Sequence, residues 1–294
     1  MMENKTIVVI GKTGQLGASL MVQASYFGFQ AIGYGKEELD IQNTADVRAE
    51  IERIRPMAVV NASAYLVLRD CEEHPDIAAE INTHAVERLA CLCRDLGVLF
   101  VHYSTDYVFD GEKGAPYGED DESRPLQVYG ISKREGEKKA VDAYPAGTLI
   151  IRTAGLYGGL TGSKAKGGNF VLNMLRDAKL RDKIDVGSDQ TTSTSFSDDV
   201  AGGTFKLLIA SAPGGIYHLV NESVCGWHTF GAEVLRMAGA NASVVPVVRA
   251  EIAGAMRRPR YSALLNIKAA SLGIVLPTWQ DALARYTDYL KLHS

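Results

Sequence analysis

The feature that most constrains this chain is an alternation of short apolar runs with helical patterns over its first 155 residues. The runs begin near residues 7, 30, 57, 99 and 149, and most are rich in β-branched residues. Short apolar runs separated by helices are typical of parallel strands covered on both faces by crossover helices. The pattern predicts an α/β fold with a doubly wound parallel sheet over residues 1–154, joined by parts of 184–220. Residues 155–294 then form mainly a second, smaller domain.

A glycine-rich turn, GKTGQLG at 11–17, follows the first run directly, and a helical pattern continues to about Phe27. Gly11 permits the tight turn, Gly14 lets the backbone approach a pyrophosphate, and Gly17 lets the helix pack close to the strand. The helix N-terminus then faces the phosphates, as in a Rossmann fold. The spacing departs from Gly-x-Gly-x-x-Gly, so a turn without a ligand stays open as the alternative. The cofactor contacts predicted here are Gly11, Thr13, Gly14, Gln15, Leu16 and Gly17.

The end of the second run bears on which dinucleotide binds. An acidic residue there would hold a ribose 2′-hydroxyl, whereas a basic residue suits a 2′-phosphate. Lys36 follows Gly35 with no acid before Glu37, which favours NADPH over NADH, although a solvated loop lysine fits equally well. Asp40 could accept a hydrogen bond from adenine or cap the helix expected near residue 44. We predict cofactor contacts from Lys36, Asp40 and Ile41.

Small and polar residues follow the third and fourth runs. Ala62, Ser63 and Ala64 leave room for a ligand at the carboxyl end of a strand. Ser104 and Thr105 put two hydroxyls at the end of a central strand, where open α/β sheets place their chemistry. The further predicted cofactor contacts are Ala62, Ser63, Ala64, Tyr65, Asn82 and Ser104.

Tyr129 and Lys133 are four positions apart in a helical pattern, so their side chains share one face. A free tyrosine titrates near ~10, and a neighbouring ammonium group would lower that pKa and make the pair a usable general acid and base. Alone, this spacing also describes an ordinary exposed pair on a helix. The nucleotide-binding pattern upstream and the hydroxyls at 104 and 105 favour the catalytic interpretation.

Composition excludes several classes of function. The net charge of -4 gives no basic footprint for nucleic acid, and no apolar run approaches the ~20 residues of a membrane helix. The N-terminus leads straight into a strand-like run, so we expect no signal peptide. The cysteines, Cys71, Cys91, Cys93 and Cys225, show neither zinc nor redox spacing, which predicts reduced thiols in a cytoplasmic protein without a metal site.

Many stretches along the chain match one family: GKTGQLG (11–17), LDI (39–41), VVNASAY (59–65), STDYVFDG (104–111), PLQVYGISKREGE (125–137), NF (169–170), DQ (189–190), GIYHLV (215–220), Trp227 and RRPRYSALLN (257–266). They resemble the extended short-chain dehydrogenase/reductases and, within them, the dTDP-4-dehydrorhamnose reductase family. The resemblance implies a C-terminal substrate-binding domain and NAD(P)H-dependent reduction of a nucleotide-linked 4-keto-6-deoxyhexose, foremost dTDP-4-dehydro-L-rhamnose to dTDP-L-rhamnose. It also allows a homodimer.

The resemblance further implies a catalytic triad. Tyr129 would protonate the developing alkoxide, Lys133 would bind the nicotinamide ribose and lower the Tyr129 pKa, and Thr105 would orient the ketone oxygen. The implied substrate contacts are Ser104, Thr105, Asp106, Tyr107, Val108, Phe109, Gly155, Asn169, Gln190, Trp227 and Arg258.

Departures from the family pattern concentrate around the expected sugar site. Leu66 replaces the usual threonine, and Gly155 replaces a tryptophan that would pack on the sugar. Without this tryptophan the site could admit a bulkier hexose, or a side chain from another part of the protein could fill the space. Another nucleotide-sugar ketoreductase or a 4-epimerase is therefore an alternative. A non-enzyme alternative is an NADP-binding regulatory subunit that resembles methionine adenosyltransferase β. The glycine-rich segment 161–168 is interpreted as a flexible loop that could act as a lid.

Overall fold

The computed structural model describes residues 5–163, 165, 167–248 and 256–293. Within them the strands are β1 (Thr6–Ile10), β2 (Gln30–Tyr34), β3 (Ala58–Asn61), β4 (Leu99–Thr105), β5 (Thr148–Thr153), β6 (Leu156–Tyr157), β7 (Lys183–Gly187), β8 (Thr191–Thr192), β9 (Ser195–Phe196), β10 (Gly215–His218), β11 (Cys225–Gly226) and β12 (Ser243–Val247). The α-helices are α1 (Gln15–Gln23), α2 (Thr44–Ile54), α3 (Leu68–Glu73), α4 (Pro75–Ala79), α5 (Ala85–Leu96), α6 (Val128–Ala143), α7 (Phe170–Ala178), α8 (Ser197–Ile209), α9 (Trp227–Ala238), α10 (Ile267–Ser271) and α11 (Trp279–Leu292).

The main sheet has six parallel strands in the order β10-β5-β4-β3-β1-β2. The chain passes from β1 to β2 on one side and returns to β3 on the other, so the direction of winding reverses between β1 and β3. A crevice opens at such a reversal, outside the carboxyl ends of the strands. The prediction of a doubly wound parallel sheet of the Rossmann type is confirmed.

Helices cover both faces of this sheet because successive strand side chains point to opposite faces. Ile7 and Val9 of β1 belong to a core that includes α1 and α8. Val8 and Ile10 belong to a second core that includes α2 and α5. Burial on both faces explains why the strands read as continuous apolar runs.

The C-terminal half adds three two-stranded sheets, β12-β7, β11-β8 and β6-β9, around an aromatic core that includes Tyr157, Phe230 and Tyr286. Within the segment 184–220, parts of which were expected to join the main sheet, β7 pairs with β12 instead. Strand β10 of the same segment does join the main sheet, beside β5. The division into two domains at residue 155 stays a prediction.

The long helix predicted from 75 to 96 is present as α4 and α5, joined by a π-helical turn at Glu80–His84. In the predicted lid, Ser163 and Gly168 exchange two backbone hydrogen bonds, of 3.0 and 2.9 Å. Lys164 and Lys166 of that loop, like residues 1–4, lie outside the described residues, and the lid stays a prediction. None of the helices in the described ranges is long and apolar enough to cross a membrane.

Candidate active site

The glycine turn lies in the crevice between β1 and β3. Gly11 has a φ of 90°, and a Cβ there would lie 2.9 Å from the backbone of Ala62 and Ser63. A Cβ on Gly17 would collide with the Gly11 carbonyl oxygen, so helix α1 can start this close to β1 only with glycine. Gly14 precedes α1 in an extended conformation, and no side chain caps the helix. Uncapped N–H groups beside small residues fit a dinucleotide pyrophosphate.

The acidic side chain of Glu38 folds back to the end of β2, a position that was not evident from the sequence. The Gly35 N–H donates to Glu38 Oε2 at 2.6 Å, and Lys12 Nζ lies 2.7 Å from the same carboxylate. These two contacts, the Gly35 N–H first, lower the pKa of Glu38. Lys36 is exposed in the turn between them. The predicted site for the adenosine ribose is therefore flanked by an acidic side chain, Glu38, and a basic one, Lys36. The preference for NADPH stays a prediction.

Two of the predicted cofactor contacts near this turn have other partners. Asp40 accepts the Gln42 N–H at 2.9 Å. Helix α2 is capped by Asn43 instead, so the alternative that Asp40 caps it is wrong. Ile41 is 5% exposed and packs in the core under the sheet. A contact of Ile41 with the cofactor stays a prediction.

Asn82 is buried, and its side chain forms hydrogen bonds with other groups of the protein. Its Oδ1 accepts the Tyr65 N–H at 2.9 Å, while its Nδ2 donates to the Tyr65 carbonyl at 2.8 Å and to Ser132 Oγ at 3.1 Å. Its side-chain amide is therefore bound within the protein, and its contact with the cofactor stays a prediction. Asn82 instead fixes Tyr65, at the end of the Ala62–Tyr65 segment, against helix α6.

Thr105 ends β4 and lies against the start of α6. Its hydroxyl donates to Asp106 Oδ1 and accepts the Tyr107 N–H, both at 3.2 Å. Burial raises the pKa of Tyr129, the Asp106 carboxylate adds to the rise, and a hydrogen bond with the Thr105 side chain opposes it. Tyr129 keeps part of its surface open to solvent. The structure thus brings the predicted proton donor and the predicted orienting hydroxyl together.

Lys133 lies beneath them and is 1% exposed. Its Nζ lies 2.8 Å from His102 Nε2 and donates to the Tyr103 carbonyl at 2.6 Å. Burial lowers the pKa of Lys133 to about 7, with Glu137 opposing. The expectation that Lys133 lowers the pKa of Tyr129 is wrong for this arrangement, since that pKa is raised and Lys133 Nζ is directed at His102 and Tyr103.

Two functional residues were missed by sequence reasoning, His102 on β4 and Asn61 on β3. They are register partners in adjacent strands, both wholly buried, and Asn61 Nδ2 lies 3.1 Å from His102 Nδ1. The available signal was the polar side chain that each apolar run carries near its end. Buried polar groups in a central sheet need partners, and here the partner is Lys133.

The segment after β4 ties the main sheet to the C-terminal half. Asp106 is 4% exposed, and its Oδ2 accepts from Ser262 Oγ at 2.6 Å and from Thr192 Oγ1 at 3.5 Å. Burial raises the pKa of Asp106 to about 6, against the opposing effect of its hydrogen bonds. Ser104 Oγ is buried without a partner among the described residues. Both remain candidates for contact with a bound ligand.

The predicted substrate contacts at 107–109 divide by exposure. Val108 and Phe109 are fully buried, and Phe109 stacks on Tyr117 with ring centroids 4.1 Å apart. Their side chains anchor the segment in a hydrophobic cluster, and their contact with substrate stays a prediction. Tyr107 is partly exposed, and its ring meets Tyr129 edge-on at 6.1 Å.

Gly155 lies against an aromatic side chain from another helix. Its φ is 52°, and a Cβ there would lie 3.3 Å from Trp227 Cη2 and 3.1 Å from the Ser193 carbonyl oxygen. Trp227, the first residue of α9, is partly exposed and lies 4.7 Å from the Phe170 ring. The space beside the missing tryptophan is therefore bordered by Trp227.

The remaining predicted substrate contacts differ in what they offer. Asn169 is 6% exposed, and its Nδ2 donates to Gln15, Gly158 and Tyr286. Its contact with substrate stays a prediction. Gln190 is partly exposed, and its carbonyl accepts the Trp227 N–H at 3.3 Å. Arg258 is exposed, and its charge opposes the rise in the Tyr107 pKa that burial causes. The substrate contacts of Gln190 and Arg258 likewise stay predictions.

Comparison with known proteins gives a consistent family. The model for the RmlD substrate binding domain matches residues 5–292. The spore coat polysaccharide biosynthesis protein SpsK of Bacillus subtilis is 34% identical over 95% of this chain and 96% of its own. A dTDP-4-dehydrorhamnose reductase of Streptomyces griseus is 35% identical over 94% of this chain and 91% of its own.

Among solved structures, the dTDP-4-dehydrorhamnose reductase of Bacillus anthracis in complex with NADP superposes with a TM-score of 0.91. It is 30% identical and covers 97% of this chain and 99% of its own. The chain therefore belongs to the RmlD substrate-binding domain family, the dTDP-sugar 4-keto reductases, and the prediction of an NAD(P)H-dependent oxidoreductase is confirmed at the level of this family.

Proposed function

We propose that this protein uses NADPH to reduce the 4-keto group of a nucleotide-linked 6-deoxyhexose, and that it converts dTDP-4-dehydro-L-rhamnose to dTDP-L-rhamnose. The observation that carries the proposal is the grouping of Thr105, Tyr129 and Lys133 at the carboxyl end of β4, next to the glycine turn. The names of the Streptomyces griseus and Bacillus anthracis relatives support the sugar and the reaction.

Tyr129 supplies the proton in this reaction. Because burial raises its pKa, its hydroxyl keeps the proton at neutral pH. A ketone that accepts a hydride becomes an alkoxide, which is a stronger base than a phenolate, so the proton moves from Tyr129 to the sugar oxygen. Thr105, which is hydrogen-bonded beside Tyr129, rotates its hydroxyl to the same oxygen and orients it.

The nucleotide site is formed by the glycine turn, the small residues after β3 and the charged end of β2. A bound NADPH supplies the hydride. Lys12 and Lys36 would face a 2′-phosphate, whereas Glu38 would repel it. Since Glu38 is already paired with Lys12, we propose that Lys36 decides the balance in favour of NADPH, in agreement with the NADP in the Bacillus anthracis relative.

The sugar site is less selective in this proposal than in a relative with a tryptophan at the position of Gly155. Trp227 borders the space from the side, and Leu66 offers no hydrogen bond to a sugar hydroxyl. A substrate that needs that bond would keep an unpaired polar group, at a cost of ~1–3 kcal/mol. These two positions favour a second candidate, the reduction of a different nucleotide-linked 4-keto sugar by the same chemistry.

The deciding experiment incubates the protein with NADPH and a panel of dTDP-, GDP- and UDP-linked 4-keto sugars and follows the nicotinamide absorbance. We expect NADPH oxidation with dTDP-4-dehydro-L-rhamnose and weak discrimination against other dTDP sugars. Tyr129→Phe should lose ~10²–10⁴ in rate while NADPH binding persists. Tyr26→Phe, at a tyrosine that is 78% exposed, is the matched control.

Other outcomes would contradict the proposal. Interconversion of two sugars without net loss of NADPH would indicate a 4-epimerase. Binding of NADPH with no turnover of any sugar would favour a regulatory subunit. Wild-type turnover in Tyr129→Phe would exclude Tyr129 as the proton donor.

A further inference from the structure

We propose that His102 is a positioning residue whose imidazole is fixed as the Nε2–H tautomer, and that this tautomer holds Lys133 as a neutral amine. The chain of contacts runs from Ser63 through Asn61 and His102 to Lys133. The arrangement does not depend on the reaction, whereas its catalytic consequence rests on the function proposed above.

The first step is the orientation of the Asn61 amide. Asn61 Oδ1 accepts the Ser63 N–H at 3.0 Å and the Ser63 Oγ–H at 2.6 Å. A backbone N–H can only donate, so the oxygen of the amide must face Ser63. The Nδ2 group must then face His102, where it lies 3.1 Å from Nδ1.

The second step is the tautomer of His102. Asn61 Nδ2 can only donate, so His102 Nδ1 must accept and carries no proton. Burial lowers the pKa of His102 well below its usual value, so the ring is neutral. A neutral imidazole without a proton on Nδ1 carries it on Nε2.

The third step is the protonation state of Lys133. His102 Nε2 lies 2.8 Å from Lys133 Nζ, and its proton needs an acceptor. An ammonium group has none, whereas an amine has one lone pair. The amine also donates to the Tyr103 carbonyl at 2.6 Å and keeps a second N–H for a ligand. A charged Lys133 would force His102 into the other tautomer and break its bond with Asn61.

The surrounding charges are consistent with a neutral amine. The titratable groups that interact with Lys133 are His102 from β4 and Glu137 from its own helix. Glu137 is already bound by Arg152, whose Nε and Nη2 lie 2.9 and 2.6 Å from its two oxygens. Burial lowers the pKa of Lys133 to about 7, in the same direction as the hydrogen-bond argument.

The tautomer can be measured directly, without any assay of activity. Long-range ¹H–¹⁵N NMR correlations of the imidazole rings at pH 8 distinguish Nε2–H, Nδ1–H and the doubly protonated ring. His102 is assigned by the signal that disappears in His102→Gln. His218 is an internal reference of opposite sign, because its Nδ1 lies 3.0 Å from the Leu265 carbonyl and must carry the proton.

We expect the Nε2–H form at His102 and the Nδ1–H form at His218. An Nδ1–H or doubly protonated His102 would overturn the proposal. Because the measurement needs no substrate, a protein that reduces no sugar but shows the Nε2–H form would contradict the proposed function and leave the proposed tautomer standing.

The catalytic consequence is tested with Asn61→Asp, which keeps the shape of the side chain. The carboxylate still accepts from Ser63 but now also accepts from His102, so Nε2 loses its proton and accepts from a charged Lys133. The pKa of Lys133 should rise, and the pH dependence of kcat should move upward by ~1–3 pH units. KM should change much less than kcat, because Asn61 does not face the sugar.

Asn241→Asp, the same substitution at an exposed asparagine, is the matched control. Its pH profile should coincide with that of the wild type. A merely structural role of Asn61 would lower the activity of Asn61→Asp equally at all pH values. Such a uniform loss, or an unmoved profile, would overturn the positioning role of His102.

Discussion

Removal of the buried amine of Lys133 should change how the stability of the protein depends on pH. Burial lowers its pKa from the usual 10.5 to about 7. Between these values the unfolded chain binds a proton at Lys133 that the folded chain has released. The stability contributed by this group is therefore lowest below pH 7 and rises with pH across the window.

The size of the effect follows from the pKa. Between pH 7 and pH 9, Lys133 alone should raise the free energy of unfolding by about 2 kcal/mol. Lys133→Met keeps a similar length without the titrating group, so this increment should be absent. Cys93 and Cys225, whose pKa values are raised by burial, titrate at neighbouring pH but contribute equally to both proteins. The difference between wild type and variant therefore isolates Lys133.

Urea unfolding at pH 7, 8 and 9, followed by tryptophan fluorescence, measures the increment. Lys138→Met, at an exposed lysine of the same helix, should keep the slope of the wild type. Lys133→Met also leaves the Tyr103 carbonyl and His102 Nε2 without their partner, which costs ~1–3 kcal/mol per group at every pH. That loss lowers the free energy of unfolding by the same amount at every pH, so the slope of the free energy against pH is unchanged. Equal slopes in wild type and Lys133→Met would refute the lowered pKa.

Three further perturbations follow from the site. Lys36→Ala should weaken NADPH binding relative to NADH, and Glu38→Gln should strengthen NADPH binding. Titration of both cofactors by nicotinamide fluorescence checks both variants. A clear NADH preference in the wild type would contradict the assignment of Lys36. Gly155→Ala should lower the melting temperature rather than sharpen the selection among sugars. The reason is that a side chain at the Gly155 φ of 52° costs about 1–2 kcal/mol. An unchanged melting temperature would show that the backbone adapts. Gly17→Ala should abolish dinucleotide binding measured by calorimetry, because its Cβ would collide with the Gly11 carbonyl; retained affinity would show that α1 can shift.

Restoring a tryptophan at position 155 is also less direct than the sequence suggested. From the family pattern alone, Gly155→Trp with Leu66→Thr would be expected to shift preference toward the dTDP-rhamnose precursor. In the structure, Trp227 and the Ser193 carbonyl already border the position, and its backbone is left-handed. Trp227→Leu in the wild-type background is therefore the better probe, and we expect it to alter selection among the dTDP sugars.

The sequence by itself determined the sheet, the glycine turn and the order of the catalytic side chains. These features are local: strand and helix differ in periodicity, and Gly11 and Gly17 are required where backbone segments approach each other. Tyr129 and Lys133 share one helix face because they are four residues apart, which holds in any α-helix. Ser104 and Thr105 directly follow the apolar run of β4, so the sequence also placed their hydroxyls at the carboxyl edge of the sheet.

Only the tertiary structure decided what those side chains touch. Lys133 on α6 meets His102 on β4, which in turn meets Asn61 on β3. Glu38 folds back to the Gly35 N–H, and Trp227 reaches Gly155 from α9. Contacts between residues distant in sequence have no period that a pattern could reveal. The pKa of Tyr129 is raised, opposite to the expectation for a Tyr–Lys pair, because burial removes water from the phenol, and the depth of burial is a property of the packed fold.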